Sequence, residues 1–214
     1  MNITILTLFP NIFSPLQESI IKRAQEKDLV KINIVNIRDF AADKHRTVDD
    51  RPYGGGPGMI MKVDILTKAI ESNLPNSSNL SNCHLVLTSA TGKPWKQAMA
   101  RQYSKCENII IVCGHYEGVD ARITEVFPEM EEVSIGKYVL TGGELPAMVM
   151  VDSIVRLIPG VLKKPEAILL EPYGPKIQSP ISNLQYTRPY DFRGFQVPEV
   201  LLSGDPKKIK EEGF

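Results

Sequence analysis

Cysteine is scarce in this chain: Cys83, Cys106 and Cys113 are the whole complement of 214 residues. An odd number without C-x-x-C spacing speaks against a disulfide framework and against zinc, and for free thiols in a reducing, cytoplasmic compartment. Histidine is equally sparse, and His45, His84 and His115 lack metal-ligand spacing. Charge of one sign is missing too. Lysine plus arginine and aspartate plus glutamate number 25 each, so no global basic field advertises a nucleic acid, and any contact with one has to be local. No apolar run nears the roughly eighteen residues that a membrane span requires. The apolar N-terminus, residues 1–9, has neither a cationic lead nor a small-residue cleavage site and runs into Pro10; it reads as a first strand rather than a leader.

What is present suffices for one domain, or one domain with a small appendage. Residues 2–8 form a β-rich run, residues 31–37 alternate apolar Ile32, Ile34, Val35 and Ile37 with polar neighbours, and 12–27 between them has helical spacing, which makes one βαβ unit. A polar, glycine-rich loop over 38–58 precedes a helix at about 63–72, and 76–82 is a Ser/Asn linker. Strand-like runs at 84–88, 108–113 and 131–135 then alternate with helical ones near 95–104 and 119–127. This alternation predicts a largely parallel sheet covered by helices. Ligands in such sheets collect beyond the carboxyl ends of the strands, where three glycine-bearing loops begin, after Thr88, Cys113 and Ile135. An apolar helix over 144–158 carries Asp152 and Arg156 and stops at Pro159-Gly160. Beyond it, 161–185 is proline-bearing and aperiodic, as linkers are, and the tail from Ser203 is short, polar and lysine-rich.

The densest segment is 133–147, VSIGKYVLTGGELPA, whose apolar pairs, glycines and proline follow no period. Glycine lets a backbone approach a ligand closely, and a segment this apolar has to satisfy its own N–H and C=O groups away from water. A buried binding loop meets both conditions; so does a tight connection serving packing alone. Gly54-Gly55-Gly56-Pro57-Gly58 lacks the G-K-[ST] ending of a P-loop and misses G-x-G-x-x-G because Met59 stands at the last position. Just before it, residues 44–53 mix cations, carboxylates and a ring, a composition that suits single-stranded nucleic acid and equally a solvated loop.

Seven segments together resemble the bacterial tRNA (guanine-N1)-methyltransferases of the TrmD type: Leu8-Phe9-Pro10, residues 45–59, 112–120, 134–147 and 158–162, Tyr186-Thr187-Arg188-Pro189, and 200–204. The resemblance runs from the first strand to about Gly204. It implies an α/β fold of the SPOUT class, a mostly parallel sheet covered by helices with a deep trefoil knot, followed by a linker and a truncated C-terminal segment. Periodicity could not have supplied the knot, because knots break the usual connection rules. The implied organisation is a knotted domain binding S-adenosylmethionine (AdoMet) over 1–160, a linker carrying the catalytic acid over 161–187, and the short or truncated start of a tRNA-binding domain over 188–214. The implied assembly is a homodimer with its active site at the subunit interface. The implied reaction is AdoMet-dependent methylation of N1 of the guanine at position 37 of tRNA, next to the anticodon.

Carried over by position, the resemblance implies a cofactor pocket lined by Leu87, Thr88, Ser89 and Ala90, by Gly114, Tyr116, Glu117 and Gly118, and by Ile135, Gly136, Lys137, Tyr138, Val139, Leu140, Gly142, Gly143 and Pro146. His45, Arg46, Asp50, Arg51, Tyr53 and Gly58 fall on the tRNA side, Asp50 to read a guanine edge and Arg46 or Arg51 to meet phosphate. Arg156 matches the family's catalytic arginine; a cation at a helix C-terminus is also favourable in any fold. The base is Glu171 or, in a shifted register, Glu166, and Glu117 is expected to help place a divalent ion, Mg2+. Four features depart from the family pattern. His115 stands where an arginine is usual, Pro172 stiffens the linker, the 174–180 region is a few residues longer than usual, and the chain ends at Phe214 where relatives continue into a full helical domain. They leave open a knotted methyltransferase acting on another RNA site, and a remnant that binds RNA or AdoMet without turnover.

Overall fold

The computed structural model describes residues 1–75, 83–164, 166–171, 173–174 and 185–211. The expected linker at 76–82, Pro172 and residues 175–180 lie outside them. The chain divides into two compact units, Met1–Lys163 and Lys164–Phe214.

In the first unit, β1 (Asn2–Thr7), β2 (Lys31–Asn36), β5 (Cys83–Pro94), β6 (Asn108–Cys113) and β7 (Glu131–Ser134) form one parallel sheet in the order β2-β1-β6-β5-β7. A two-residue pair, β3 (Asp49–Asp50) and β4 (Ile60–Met61), stands apart from it. The period of two along each strand sends Ile3, Ile5, Ile109, Ile111 and Val86 to one face and Leu6, Ile110, Val112, Leu85 and Leu87 to the other. Buried side chains from α1 (Ser19–Glu26), α3 (Gln97–Tyr103) and α5 (Glu144–Val155) complete the first core. Those of α2 (Val63–Glu71) and α4 (Arg122–Val126) complete the second. With both faces covered, the central strands can be apolar on both sides, as their sequences are.

Several boundaries differ from the sequence expectation. The single helix expected over 12–27 is a 3-10 helix, Pro10–Gln17, and then α1, separated by an extended Glu18. Glu18 N–H closes the 3-10 helix on the Pro15 carbonyl (3.2 Å), and Ser19, with φ of 54°, turns the chain into α1. The strand expected to end at Thr88 runs on to Pro94, with its register to β7 shifted between Thr88 and Lys93. Gly92 makes this continuation feasible: a Cβ there would fall 2.5 Å from the Val133 nitrogen. α4 begins at Arg122, not near 119, because Asp120 N–H is spent on the Met61 carbonyl (3.1 Å) while the Asp120 carboxylate accepts from Arg122 N–H (3.0 Å). α5 is regular to Val155 and then closes by a tighter turn, with Leu157 N–H bonded to the Ile154 carbonyl and Ile158 N–H to that of Val155, before Pro159 ends it.

The second unit holds α6 (Glu166–Leu170), the hairpin strands β8 (Asp191–Phe192) and β9 (Phe195–Gln196), α7 (Glu199–Leu202) and α8 (Pro206–Glu211). Arg193 and Gly194 join the hairpin with φ of 56° and 86°, the two positive values of a type I′ turn. Asp191 fixes the turn by accepting from Gly194 N–H (3.0 Å) and from the Gln196 amide (3.1 Å). Phe192 and Phe195 are direct cross-strand partners, 60% and 80% exposed, and the Arg193 guanidinium lies 5.3 Å from the Phe192 ring centroid.

Candidate active site

Thr88 of β5 stands beside the carboxyl ends of β6 and β7, and the stretch of β5 around it meets the loops leaving those two strands at a cleft of about 460 Å³. From β5 come Leu87, Thr88, Ser89 and Ala90; from the loop after β6 come Gly114, Tyr116, Glu117 and Gly118. The loop after β7 adds Ile135, Gly136, Tyr138, Val139, Leu140, Gly142, Gly143 and Pro146. Thus every residue expected at a cofactor pocket lines this cleft except Lys137, which does not, while His115 and Ser134 line it without having been expected there.

Short bonds set the approach of the three segments. Gly143 N–H donates to the Gly114 carbonyl (2.7 Å), Gly114 N–H to the Thr88 hydroxyl (3.1 Å), and that hydroxyl to the Val112 carbonyl (3.3 Å). His115 and Gly142 form an antiparallel bridge. Such spacing leaves no room for side chains: a Cβ on Gly143 would overlap the Thr88 hydroxyl, and one on Gly114 would sit 2.8 Å from the Thr88 carbonyl. On the open side, the Ser134 hydroxyl donates to the Gly136 carbonyl (2.9 Å) and Tyr138 OH to that of Ile135 (3.4 Å), which turns the Tyr138 ring beside Gly136. The exposed rings of Tyr116 and Tyr138, with Val139 and Leu140, form an apolar rim. An apolar cleft with backbone polar groups at its wall is suited to a flat heterocycle.

The loop carrying the expected tRNA-side residues is fastened to the second of these segments. Glu117 N–H donates to the Met59 carbonyl (3.0 Å), Met61 N–H to that of Gly118 (3.0 Å) and Asp120 N–H to that of Met61 (3.1 Å). At Gly58, φ is +83°, which favours glycine, and a Cβ would also displace the exposed Glu117 side chain. Arg46 pairs with Asp39 (3.0 Å), Asp50 accepts from Arg51 N–H (2.7 Å), and His45 N–H donates to Asp43 (3.1 Å). The Thr47 hydroxyl and amide hold the Asp43 carboxyl below the usual range. Tyr53 is 100% exposed at the tip.

Arg156 caps the far end of α5. At about 1.5 Å of rise per residue it stands roughly 20 Å from Gly143, and it does not line the cleft of its own chain. Leu145, Val149, Asp152 and Arg156 follow helical spacing on one face of α5, and Leu145 and Val149 are 53% and 46% exposed. In the second unit, Glu171 is half-buried just after α6, its carbonyl accepting from Gly174 N–H (2.7 Å), and Glu166 is the first residue of α6.

No group of three or more His, Cys, Asp or Glu side chains suited to a metal ion occurs among the described residues. Nor is any described helix long and apolar enough to cross a membrane. Sequence reasoning passed over Glu144 and Thr7, which are buried beneath the cleft and bonded to each other at 3.0 Å. An acidic residue opening an otherwise apolar helix directly after Gly-Gly was the available signal.

Comparison with known proteins agrees over nearly the whole chain. Residues 1–212 match the family model described as tRNA (Guanine-1)-methyltransferase TrmD. A tRNA (guanine-N(1)-)-methyltransferase of Carboxydothermus hydrogenoformans is 47% identical over 210 residues, spanning 98% of this chain and 79% of that protein. One of Clostridioides difficile is 48% identical over 212 residues, spanning 99% and 90%. Similarity of this order over nearly the whole chain means that the chain belongs to the tRNA (guanine-1)-methyltransferase TrmD family.

Proposed function

We propose that the chain transfers a methyl group from AdoMet to N1 of the guanine at position 37 of tRNA, next to the anticodon, in the cytoplasm. The observation that carries this reading is the family match over residues 1–212 together with a glycine-walled cleft formed by the matched segments. The cleft's chemistry supports AdoMet: glycines whose Cβ positions are already filled keep side chains out of the wall, and Leu87, Tyr116 and Leu140 offer apolar surface to its ring. The return of 135–143 across His115 and Gly114 to Thr88 of β5 supports a knotted passage of the chain through 1–160.

Bound there, the cofactor supplies a sulfonium methyl that is already strongly electrophilic. The protein's task lies with the nucleophile. N1 of guanine holds a proton at neutral pH, so a carboxylate has to accept it while the base is held in line with the methyl group. Glu171, in the 161–187 linker, takes that role, with Glu166 as the other candidate. As the proton leaves, negative charge spreads to O6, where the planar Arg156 guanidinium stabilises it. Glu117 presents one carboxylate beside Gly58, too few for a protein-built cation cage, and no step is assigned to Mg2+.

The place of Arg156 supports a homodimer with shared active sites. One chain cannot bring that side chain to its own cleft, but a second copy can. If the exposed Leu145–Val149 stripes of two α5 helices pack antiparallel about a twofold axis, each Arg156 comes to the cleft end of the partner's helix. On the tRNA side, fully exposed Tyr53 and the cations of residues 45–51 suit a loop of unpaired bases. In 188–214 the hairpin with exposed Phe192 and Phe195 beside Arg193 offers a stacking surface with a phosphate contact.

Methyl transfer from labelled AdoMet to a tRNA transcript tests the reading. Incorporation at guanine 37, lost when that base is changed to adenine, is expected. Incorporation at another base would move the enzyme to a different RNA site, and cofactor binding without turnover would make it a remnant.

A further inference from the structure

Among the described residues, Glu144 is the only Asp, Glu, Lys or Arg side chain that is buried, at 4% exposure. A carboxylate is unfavourable in such a place unless its oxygens are bonded, and an apolar side chain would fill the volume at less cost. Its bonds are specific. Oε1 accepts from the Thr7 hydroxyl (3.0 Å), and the same hydroxyl oxygen accepts from Phe9 N–H (2.9 Å). Oε2 lies 3.8 Å from His115 Nδ1, beyond hydrogen-bond range, and that nitrogen is buried without a hydrogen-bond partner. The tautomer with its proton on Nδ1 faces the carboxylate favourably. A Cβ on Gly142 would overlap both groups, so carboxylate and imidazole lie directly under the backbone that walls the cleft. The Phe9 and Tyr116 rings flank the imidazole, each with its centroid 4.9 Å away. As the first residue of the twelve-residue α5, Glu144 also has the place where a helix favours an anion.

We propose that Glu144 is a positioning residue for the cofactor. It does not line the cleft itself; it joins the end of β1, the loop after β6 and the loop after β7. Through Thr7 and His115 it fixes where the third segment crosses the second, and so holds Gly142 and Gly143 at the cleft wall. The proposal rests on reading the cleft as an AdoMet site, so the test carries one arm that needs no ligand.

Hydrogen–deuterium exchange and calorimetric binding of S-adenosylhomocysteine are measured on the full chain and on Glu144→Ala, Glu144→Gln and Thr7→Val. Glu144→Ala should speed exchange at least tenfold across 114–118 and 136–143 and weaken binding at least tenfold, with the central strands still protected. Thr7→Val, which removes one donor and keeps the volume, should do the same in smaller measure. Glutamine, able to accept from Thr7 and to donate to His115, should return binding to within about threefold of the unaltered chain, as a matched hydrogen-bond pair does. Unchanged exchange in 136–143 in Glu144→Ala and Thr7→Val overturns the proposal whatever the binding data say, and Thr7→Val alone decides if the alanine variant does not fold. A rise spread evenly over the sheet, meaning lost stability rather than lost position, overturns it as well. Failure of the unaltered chain to bind S-adenosylhomocysteine refutes the cofactor reading instead, and the exchange arm still decides the role of Glu144.

Discussion

Gly143→Ala puts the closest approach in the cleft to a quantitative test. The φ of −83° and ψ of −1° at Gly143 suit any residue, so an added methyl group strains no backbone angle and acts by collision alone. It would overlap the Thr88 hydroxyl and lie 2.8 Å from the Gly114 nitrogen and 3.0 Å from the Cys113 Cα. The last two are backbone atoms at the end of a central strand and have nowhere to go. Thr88 can turn away only by giving up its bonds to Val112 and Gly114, about 1 kcal/mol each. Overpacking adds about 1–3 kcal/mol, so the total is about 3–5 kcal/mol. For a chain of this size that lowers the melting temperature by roughly 6–20 °C. Binding of S-adenosylhomocysteine should weaken tenfold or more, since the cleft wall has to move. Gly55→Ala is the control: its Cβ meets nothing within 4 Å and only its φ of +79° opposes it, a penalty of about 1–2 kcal/mol with cofactor binding unchanged. A Gly143→Ala chain that melts within about 2 °C of the original and binds the ligand equally well would show that the three segments are not in fact close-packed.

Arg156→Ala should leave cofactor binding intact and lower turnover by about two orders of magnitude or more, as loss of a transition-state contact does; unchanged turnover removes the residue from the mechanism. Mixed with Gly143→Ala, it should recover about a quarter of full activity if each site draws on both chains of a random twofold dimer, and no recovery argues for a site within one chain. Glu171→Gln should abolish the acidic limb of the pH–rate profile, and an unaltered profile and rate would pass the role of base to Glu166 or elsewhere. Replacing Phe192 and Phe195 by alanine should weaken tRNA binding by about 1–3 kcal/mol per stacked base without changing cofactor affinity; equal tRNA affinity in a filter-binding titration means that another molecule covers the hairpin. Burial, then the nearby Glu144, push the Cys113 thiol well above its ordinary 9.0. The folded chain therefore keeps this proton longer than the unfolded one, and stability should hold below about pH 9 and decline as pH rises above it. Urea midpoints from pH 7 to 10.5 check this, and a decline no shallower in Cys113→Ala refutes it.

The parallel sheet was legible because its strands announce it twice. Ile3, Ile5, Ile109 and Ile111 belong to apolar runs too short for helices, and helical spacing fills the gaps between them. The cleft was legible in outline, since ligands gather at strand ends and the glycine-bearing segments start there. Local spacing could not foresee how closely those segments meet. Gly92, Gly114 and Gly143 are each required by a backbone belonging to another strand or loop, and such a requirement leaves no mark on neighbouring residues. Glu144 was hidden for the same reason: its partners Thr7 and His115 are distant in sequence. The extension of β5 to Pro94 went unread because Ser89, Thr91 and Gly92 have the composition of a turn, and only the pairing of Lys93 and Pro94 with β7 beyond the register shift carries the strand past them.

α5 unites the pieces that the proposed mechanism needs, and its length decides how they can combine. Gly143 just before it and Pro146 in its first turn line the cleft, with Glu144 buried beneath; its inner face, with Ala147, Met150, Val151, Ile154 and Val155, fills the core; its outer face ends in Arg156. A shorter helix would let Arg156 reach the cleft of its own chain, whereas about three turns at 5.4 Å each put it out of reach. Of the twofold arrangements that cover Leu145 and Val149, one with parallel α5 helices gathers both arginines at the end away from both clefts. Antiparallel helices set each arginine against the opposite cleft. Under the proposed mechanism, the length that separates Arg156 from the cleft within a chain therefore favours an antiparallel dimer as the arrangement able to reunite them.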